Sequence, residues 1–190
     1  AKADKKRIVL PEGAEERTVK AAAILLKEGI CDVILLGDEE KIAAYGEDLT
    51  GATIINPKKA DCLQEYADTL YELRKAKGMT PEKAAKTMQS RIYFGAMMCR
   101  RGLADGLVAG SIASTADMLR AAFHCIGTAP GMKIASSTFV MDLKTPAPAG
   151  DDVLLFADCG VNPNPDANQL VDIALATSNT YRALLGKTPK

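Results

Sequence analysis

Short apolar runs that alternate with longer segments of helical spacing constrain this chain more than any other feature of it. "RIVLP" (7–11), "DVILLGD" (32–38) and "ATIINP" (52–57) read as buried strands. Between the first two, "GAEERTVKAAAILLKEG" (13–29) repeats Val19, Ala22, Ala23 and Leu26 at helical spacing, and Gly29 stops it. "EEKIAAYGED" reads as a short helix before the third strand. This succession is that of parallel βαβ units. A long helical region follows. Residues 60–78 carry Leu63, Ala67, Leu70 and Leu73 on one face. Thr80 caps a new helix with Pro81 at its first position, and "SRIYFGAMMCRRG" (90–102) is a third helix, mostly apolar. The strand "DGLVAG" and a helix from Ser114 return to βα alternation, and "KIASSTFVMDL" (133–143) reads as a long strand.

"KTPAPAGDD" (144–152) has two prolines, a glycine and two acids, and reads as a linker. Beyond it come the strand "VLLFADC", the turn "GVNPNPD" and a helix from about Asp166 to Leu185, with Gln169 spaced for a capping box. The expected division is a first α/β domain over 1–143, a linker over 144–152, and the start of an incomplete second α/β domain over 153–190. One strand and one helix cannot build a core, so Leu170, Ile173 and Leu184 are expected to stay exposed.

At 190 residues, 47% hydrophobic and 25% charged, the chain suits a globular protein whose core needs no metal or disulfide. A net charge of zero argues against a nucleic-acid or anionic-membrane partner. The five cysteines (Cys31, Cys62, Cys99, Cys125, Cys159) are odd in number and form no C-x-x-C, which fits reduced thiols rather than a disulfide scaffold or a zinc site. No apolar run approaches the roughly 18 residues of a membrane span. The apolar run in "AKADKKRIVL" is too short for a signal peptide, so the cytoplasm is the expected compartment.

The chemistry concentrates in "DGLVAGSIASTADMLRAAF" (105–123), where a strand gives way to a helix through Gly110, Ser111, Ser114 and Thr115. A glycine lets backbone approach a ligand closely. The helix start offers free N–H groups and a positive dipole end. Such a turn seats phosphate or carboxylate, and Arg120 adds a planar, fully charged donor. The plainer alternative is that Ser114 merely caps the helix, with Asp117 completing a capping box, and that Asp117 and Arg120 form an exposed pair three residues apart. Neither G-x-x-x-x-G-K-[ST] nor G-x-G-x-x-G is present.

"RIVLPEGAEERTVKAA", "YELRKAKGMTPEKA", "YFGAMMCRRGLADGLVAGSIASTADMLR", "KIASSTFVMDL" and "LLFADCGVNPNPDANQLVDIA" resemble blocks of the phosphate acetyltransferase and phosphate butyryltransferase family, in family order and over nearly the whole chain. The resemblance favours the acetyl branch. It implies exchange of acetyl phosphate and coenzyme A with acetyl-CoA and phosphate. It also implies a three-layer α/β/α fold with a mostly parallel sheet. That fold is shared with isocitrate and isopropylmalate dehydrogenases: two domains with the active site in the cleft between them. It makes Ser114, Thr115 and Arg120 phosphate or acetyl phosphate contacts. Family members run well past residue 190, and their Ser-Arg pair and aspartate near the carboxyl terminus have no match here. The expectation is a truncated form whose catalytic residues lie beyond residue 190, inactive by itself.

Arg74, late on its helix, reads either as a solvated base at a helix end or, by the family motif, as a ligand for coenzyme A phosphates. Ser136, Ser137 and Thr138 place three hydroxyls in a strand, either paired internally or marking its end at a substrate site. Ser136 and Ser137 are taken as substrate contacts. Asn162 is a coenzyme A contact or a turn residue. Cys159 reads as a small core residue, His124 as structural, and Arg100 and Arg101 as partners of a helix C-terminus. No cofactor or metal is expected, coenzyme A being a substrate, and a homodimer is the family expectation. The alternatives are a non-catalytic phosphate- or coenzyme A-binding module, or the butyryl activity. A nicotinamide dehydrogenase fails for want of a dinucleotide glycine motif.

Overall fold

The computed structural model describes residues 2–145 and 152–190; most of the expected linker, residues 146–151, lies outside them. Contacts divide the chain into two compact units, Ala1–Gly127 and Thr128–Lys190. The chain is mixed α/β with a mostly parallel sheet.

The first unit is built on four parallel strands in the order β3-β2-β1-β4: β1 (Arg7–Leu10), β2 (Asp32–Leu36), β3 (Thr53–Ile55) and β4 (Gly106–Leu107). Adjacent residues of a strand point to opposite faces, and both faces are covered. On one, Leu10, Val33 and Leu35 pack with Val19 and Ala22 of α1 (Glu16–Glu28) and Ile42 of α2 (Glu39–Ala43). On the other, Val9, Ile34 and Leu36 pack with α3 (Leu63–Arg74), α4 (Pro81–Met88), α5 (Arg91–Arg100) and α6 (Thr115–Cys125). Burial on both faces is why the strands read as unbroken apolar runs. α5 lies close enough to the sheet that a Cβ on Gly95 would stand 2.7 Å from Leu107 Cδ1 and 3.0 Å from Val9 Cγ1. At the outer edge Arg7 donates through Nη2 and Nε to the Asp105 carboxylate, tying β1 to the start of β4.

Local signals behave as their chemistry dictates. Gly29 closes α1 in the left-handed region at φ 64°, and Thr80 accepts from the Lys83 N–H at the start of α4. β4 is shorter than "DGLVAG" suggests. Past Val108, whose N–H still reaches Val9, the backbone N–H groups turn to a side chain instead of a neighbouring strand.

In the second unit β5 (Thr138–Asp142) pairs antiparallel with β6 (Val153–Ala157), and α7 (Ala167–Leu185) packs on β6. Asp166 and Gln169 form the expected capping box. The strand expected over 133–143 begins only at Thr138, because Ser137 is drawn instead to the turn after β6. The same strand pairs with β6 across the expected linker, so it belongs to the second unit. Leu170 and Leu184 are exposed as expected, but Ile173 is only 4% exposed because it anchors α7 against β6.

Candidate functional site

The chain lays down β1, β2 and β3 side by side and then returns to place β4 on the other side of β1. Ligands of open α/β sheets gather at the carboxyl ends of the strands flanking such a reversal. Two segments leave the sheet there. One is Pro11-Glu12 after β1, and the other is the 108–114 turn after β4.

They meet through Glu12. Its Oε2 accepts from the N–H groups of Gly110 (2.8 Å) and Ser111 (2.8 Å) and from the Ser111 hydroxyl (2.7 Å). Its Oε1 accepts from the N–H groups of Ile112 (2.9 Å) and Ala113 (2.7 Å). Gly110, at φ 122°, makes the bend that brings these donors together. Arg17 donates to the Ser111 carbonyl at 2.9 Å, and the Thr18 and Ser111 hydroxyls lie 3.2 Å apart. Glu12 is 3% exposed and is the one buried charged residue among the described residues. Burial works against its ionisation, but the Ser111 hydroxyl and the N–H groups of Ile112, Ala113 and Ser111 together hold its pKa down at about 2. The turn therefore binds an anion, as its composition suggests, and that anion is the chain's own carboxylate.

One residue further on, Ser114 caps α6. Its hydroxyl accepts from the Asp117 N–H at 3.2 Å and donates to Asp117 Oδ2 at 2.7 Å. This differs from the reciprocal capping box, in which the acid would reach the cap's own N–H. Arg120 Nη1 donates to Asp117 Oδ1 at 2.8 Å, and both side chains are more than half exposed. The Ser114 hydroxyl, opposed by partial burial and aided by Arg120, holds the Asp117 carboxyl below its usual range. Thr115 opens the helix with an exposed hydroxyl.

Arg74 ends α3, half-buried, and its guanidinium makes no hydrogen bond or ion pair among the described residues. Its helix, α3, packs against α6, which carries Arg120. His124 lies one turn beyond Arg120 on α6, with Nδ1 2.9 Å from the Tyr93 hydroxyl. Burial holds the imidazole pKa below 6.5, and the positive charges of Arg74, Arg120 and Lys83 add to that effect. A cleft of about 310 Å³ opens between the start of α5 and the turn, lined by Ser90, Arg91, Tyr93, Ile112 and Asp117.

The second unit repeats the arrangement around Asp158. Its carboxylate accepts from the Ser137 hydroxyl (2.6 Å), from the N–H groups of Gly160 (2.9 Å), Val161 (3.0 Å) and Asn162 (3.0 Å), and from the Asn162 side-chain amide. Burial opposes ionisation, but these donors hold the carboxyl far below the usual range. Asn162 also donates to the Ala135 carbonyl at 2.8 Å, and Cys159 N–H donates to the Ser137 hydroxyl at 3.1 Å. Ser136 has a weak contact with the Ser137 carbonyl at 3.5 Å. So Ser137 and Asn162 come together, and both are committed to Asp158.

The sequence reading missed Glu12, Arg17 and Asp158. Glu12 carried one usable signal: an acid at the carboxyl end of the first strand of a βαβ unit. Among the described residues no group of three or more His, Cys, Asp or Glu is placed to hold a metal, and no helix is long and apolar enough to cross a membrane.

Known proteins are similar to this chain in sequence and fold. A phosphate acetyltransferase from Thermoanaerobacterium thermosaccharolyticum is 53% identical over 100% of this chain, and one from Acetivibrio thermocellus is 44% identical over 100%. The chain spans 58% of the length of each. A phosphotransacetylase from Streptococcus pyogenes superimposes with a TM-score of 0.82 at 38% identity, over 94% of this chain and 54% of that one. The EutD phosphotransacetylase from Staphylococcus aureus gives 0.81 at 35% identity, over 93% and 53%. The family described as Phosphate acetyl/butaryl transferase matches residues 1–190, and the chain belongs to that family.

Proposed function

We propose that this chain carries the phosphate-facing part of a phosphate acetyltransferase, which interconverts acetyl-CoA plus phosphate with acetyl phosphate plus coenzyme A. The observation that carries the reading is the 53% identity to a phosphate acetyltransferase over the whole chain. The turn and α6, at the strand ends where α/β sheets bind ligands, agree with it.

In the reaction the coenzyme A thiolate attacks the acetyl carbonyl of acetyl phosphate. The carbon–sulfur bond forms, the carbon–oxygen bond to phosphorus breaks, and phosphate leaves. Arg120 offers the N–H groups it does not give to Asp117, and Thr115 offers a hydroxyl with no partner among the described residues. Ser114 must share its hydroxyl with Asp117 to contribute. Arg74 suits the coenzyme A phosphates. In this reading Ser136 and Ser137 contact substrate, and Asn162 contacts coenzyme A through whatever Asp158 leaves free.

The same reading includes the two-domain arrangement of isocitrate and isopropylmalate dehydrogenases, an incomplete second domain, a cytoplasmic homodimer, and no cofactor beyond the substrates. It assigns thiol deprotonation and transition-state stabilisation to residues outside these 190. A thiol of pKa about 8.5 is mostly protonated at neutral pH, and a positioned base contributes about 10²–10⁴-fold. The experiment is thioester formation from acetyl phosphate and coenzyme A. It uses the purified chain with and without the remaining portion of a relative supplied in trans, contaminating native enzyme being excluded. Activity appearing only on mixing supports the reading. Full activity from the chain alone overturns the half-site, and a folded mixture without activity overturns the function.

A further inference from the structure

Glu12 stands on a fixed base. It follows β1 and the fully buried Pro11, and its own carbonyl accepts from the Glu15 N–H at 3.0 Å. The next residue, Gly13, donates to the Leu36 carbonyl at 3.2 Å, so the backbone that carries Glu12 is tied to β2 as well as to β1. From that base the carboxylate reaches four consecutive residues, 110–113, and uses both oxygens. The turn is also held through Ser111, whose carbonyl accepts from Arg17 and whose hydroxyl meets Thr18. Ser114, the cap of α6, is the next residue in the chain, so a single peptide unit separates the clasp from the helix start. The clasp also decides which donors remain. Converging N–H groups of such a turn would seat an outside anion if they were free. Here they are taken by Glu12, which at 3% exposure is too buried to touch a ligand. The N–H groups of Thr115 and Ala116 come next, and neither has an acceptor among the described residues.

We propose that Glu12 is a positioning residue for the acetyl-transfer reaction: it touches no substrate, and by clasping residues 110–113 it sets the place and direction of the Thr115 hydroxyl and the first N–H groups of α6. The inference rests on the function proposed above, in which that helix start faces acetyl phosphate or phosphate. A carboxylate suits the task because its two oxygens together accept from several donors at once. Its anchor lies close to a strand end, and sites carried on strands and helices hold their geometry better than sites carried on loops. The turn has no such anchor of its own, since β4 is only two residues long. Loosening the clasp therefore displaces the helix start, and a misplacement of about 1 Å can cost about a hundredfold in rate.

The experiment is steady-state kinetics in the mixed assay above, expressed per mole of folded chain. Glu12→Gln should raise KM for acetyl phosphate and lower kcat/KM for it by about tenfold to a hundredfold, with KM for coenzyme A near its native value. A purely structural role lowers the active fraction, which scales kcat and leaves both KM values alone. Val33→Ala opens a cavity near the amino end of β2, away from the turn, and should show that second pattern. Ser111→Ala removes one of the bonds to Glu12 and keeps the carboxylate. It should give a smaller loss of the first pattern, and it decides alone if Glu12→Gln does not fold. Amide exchange on the 190-residue chain needs no activity. The Asp117 and Met118 N–H groups close the first turn of α6 on the Ser114 carbonyl. Relative to the amides of α3, they should exchange faster in Glu12→Gln and Ser111→Ala than in Val33→Ala. A fall in kcat alone, or α6 protection that drops no further than in Val33→Ala, overturns the proposal. A folded but inactive mixture of the unaltered chains overturns the enzyme reading instead, and the setting of α6 by Glu12 then stands or falls on the exchange result.

Discussion

Replacing Glu12 with glutamine keeps the side chain's size and removes its charge and one acceptor oxygen. In the native turn Oε2 serves the N–H groups of Gly110 and Ser111 with the Ser111 hydroxyl, and Oε1 serves those of Ile112 and Ala113. Whichever oxygen becomes an amide nitrogen, at least two backbone N–H groups then face a donor. A buried donor left unsatisfied costs about 1–3 kcal/mol, so Glu12→Gln should lower stability by about 2–6 kcal/mol. Proton linkage gives an independent magnitude: a carboxyl whose pKa falls from 4.5 to about 2 on folding contributes about 3 kcal/mol when ionised. The folded-state pKa is depressed, so this contribution is complete above 4.5 and is lost as pH falls through about 2. Urea unfolding followed by circular dichroism at neutral pH, and at steps down to the acid limit, reads both quantities. The variant should be less stable at neutral pH, and its stability should fall less steeply than that of the native chain in the acid range. A loss below about 1 kcal/mol at neutral pH, or an unchanged acid slope, would refute the clasp as a stabilising anion site.

Gly95→Ala should destabilise the first unit by about 1–3 kcal/mol in thermal unfolding, because the added methyl meets Leu107 and Val9 at the sheet. Unchanged stability would mean that α5 shifts away freely. Arg120→Ala should leave the melting temperature nearly unchanged, since its ion pair with Asp117 is exposed. On the proposed function, in the assay with the remaining portion of a relative supplied in trans, the same change should weaken use of acetyl phosphate and phosphate by about tenfold to a hundredfold, the worth of a charged hydrogen bond. Unaltered kinetics with both substrates would remove Arg120 from the site.

The strands β1, β2 and β3 were legible because parallel strands covered on both faces carry apolar residues at nearly every position, and α1, α4 and α7 because their caps are local chemistry. The end of β4 was not legible. "LVAG" reads as strand until one knows that a carboxylate nearly a hundred residues away captures its N–H groups. The same holds for Ser136 and Ser137, which lie before β5 because Asp158 draws Ser137 out of line. Ile173 looked like an orphan of α7 because its partner, β6, is short and reads as too little to bury anything. At the site, the anion-seeking character of 110–115 was written in glycine and hydroxyls, and the identity of the resident anion was not. The packing of α3, which ends in Arg74, against α6, which carries Arg120, is not specified by helical periodicity alone.

The Glu12 clasp spans 98 to 101 residues of sequence, so it closes one of the longest loops in the first unit. Closing a long loop costs chain entropy before any contact rewards it. The turn therefore has no stable shape of its own to contribute early in folding. It takes form only when β1 and β4 are already neighbours, late on the route to the native state. For the same reason its four amide protons are sentinels. Their protection from solvent exchange reports whether the edge of the sheet is assembled, and any opening that separates β4 from β1 would disassemble the turn before the rest of the domain gives way.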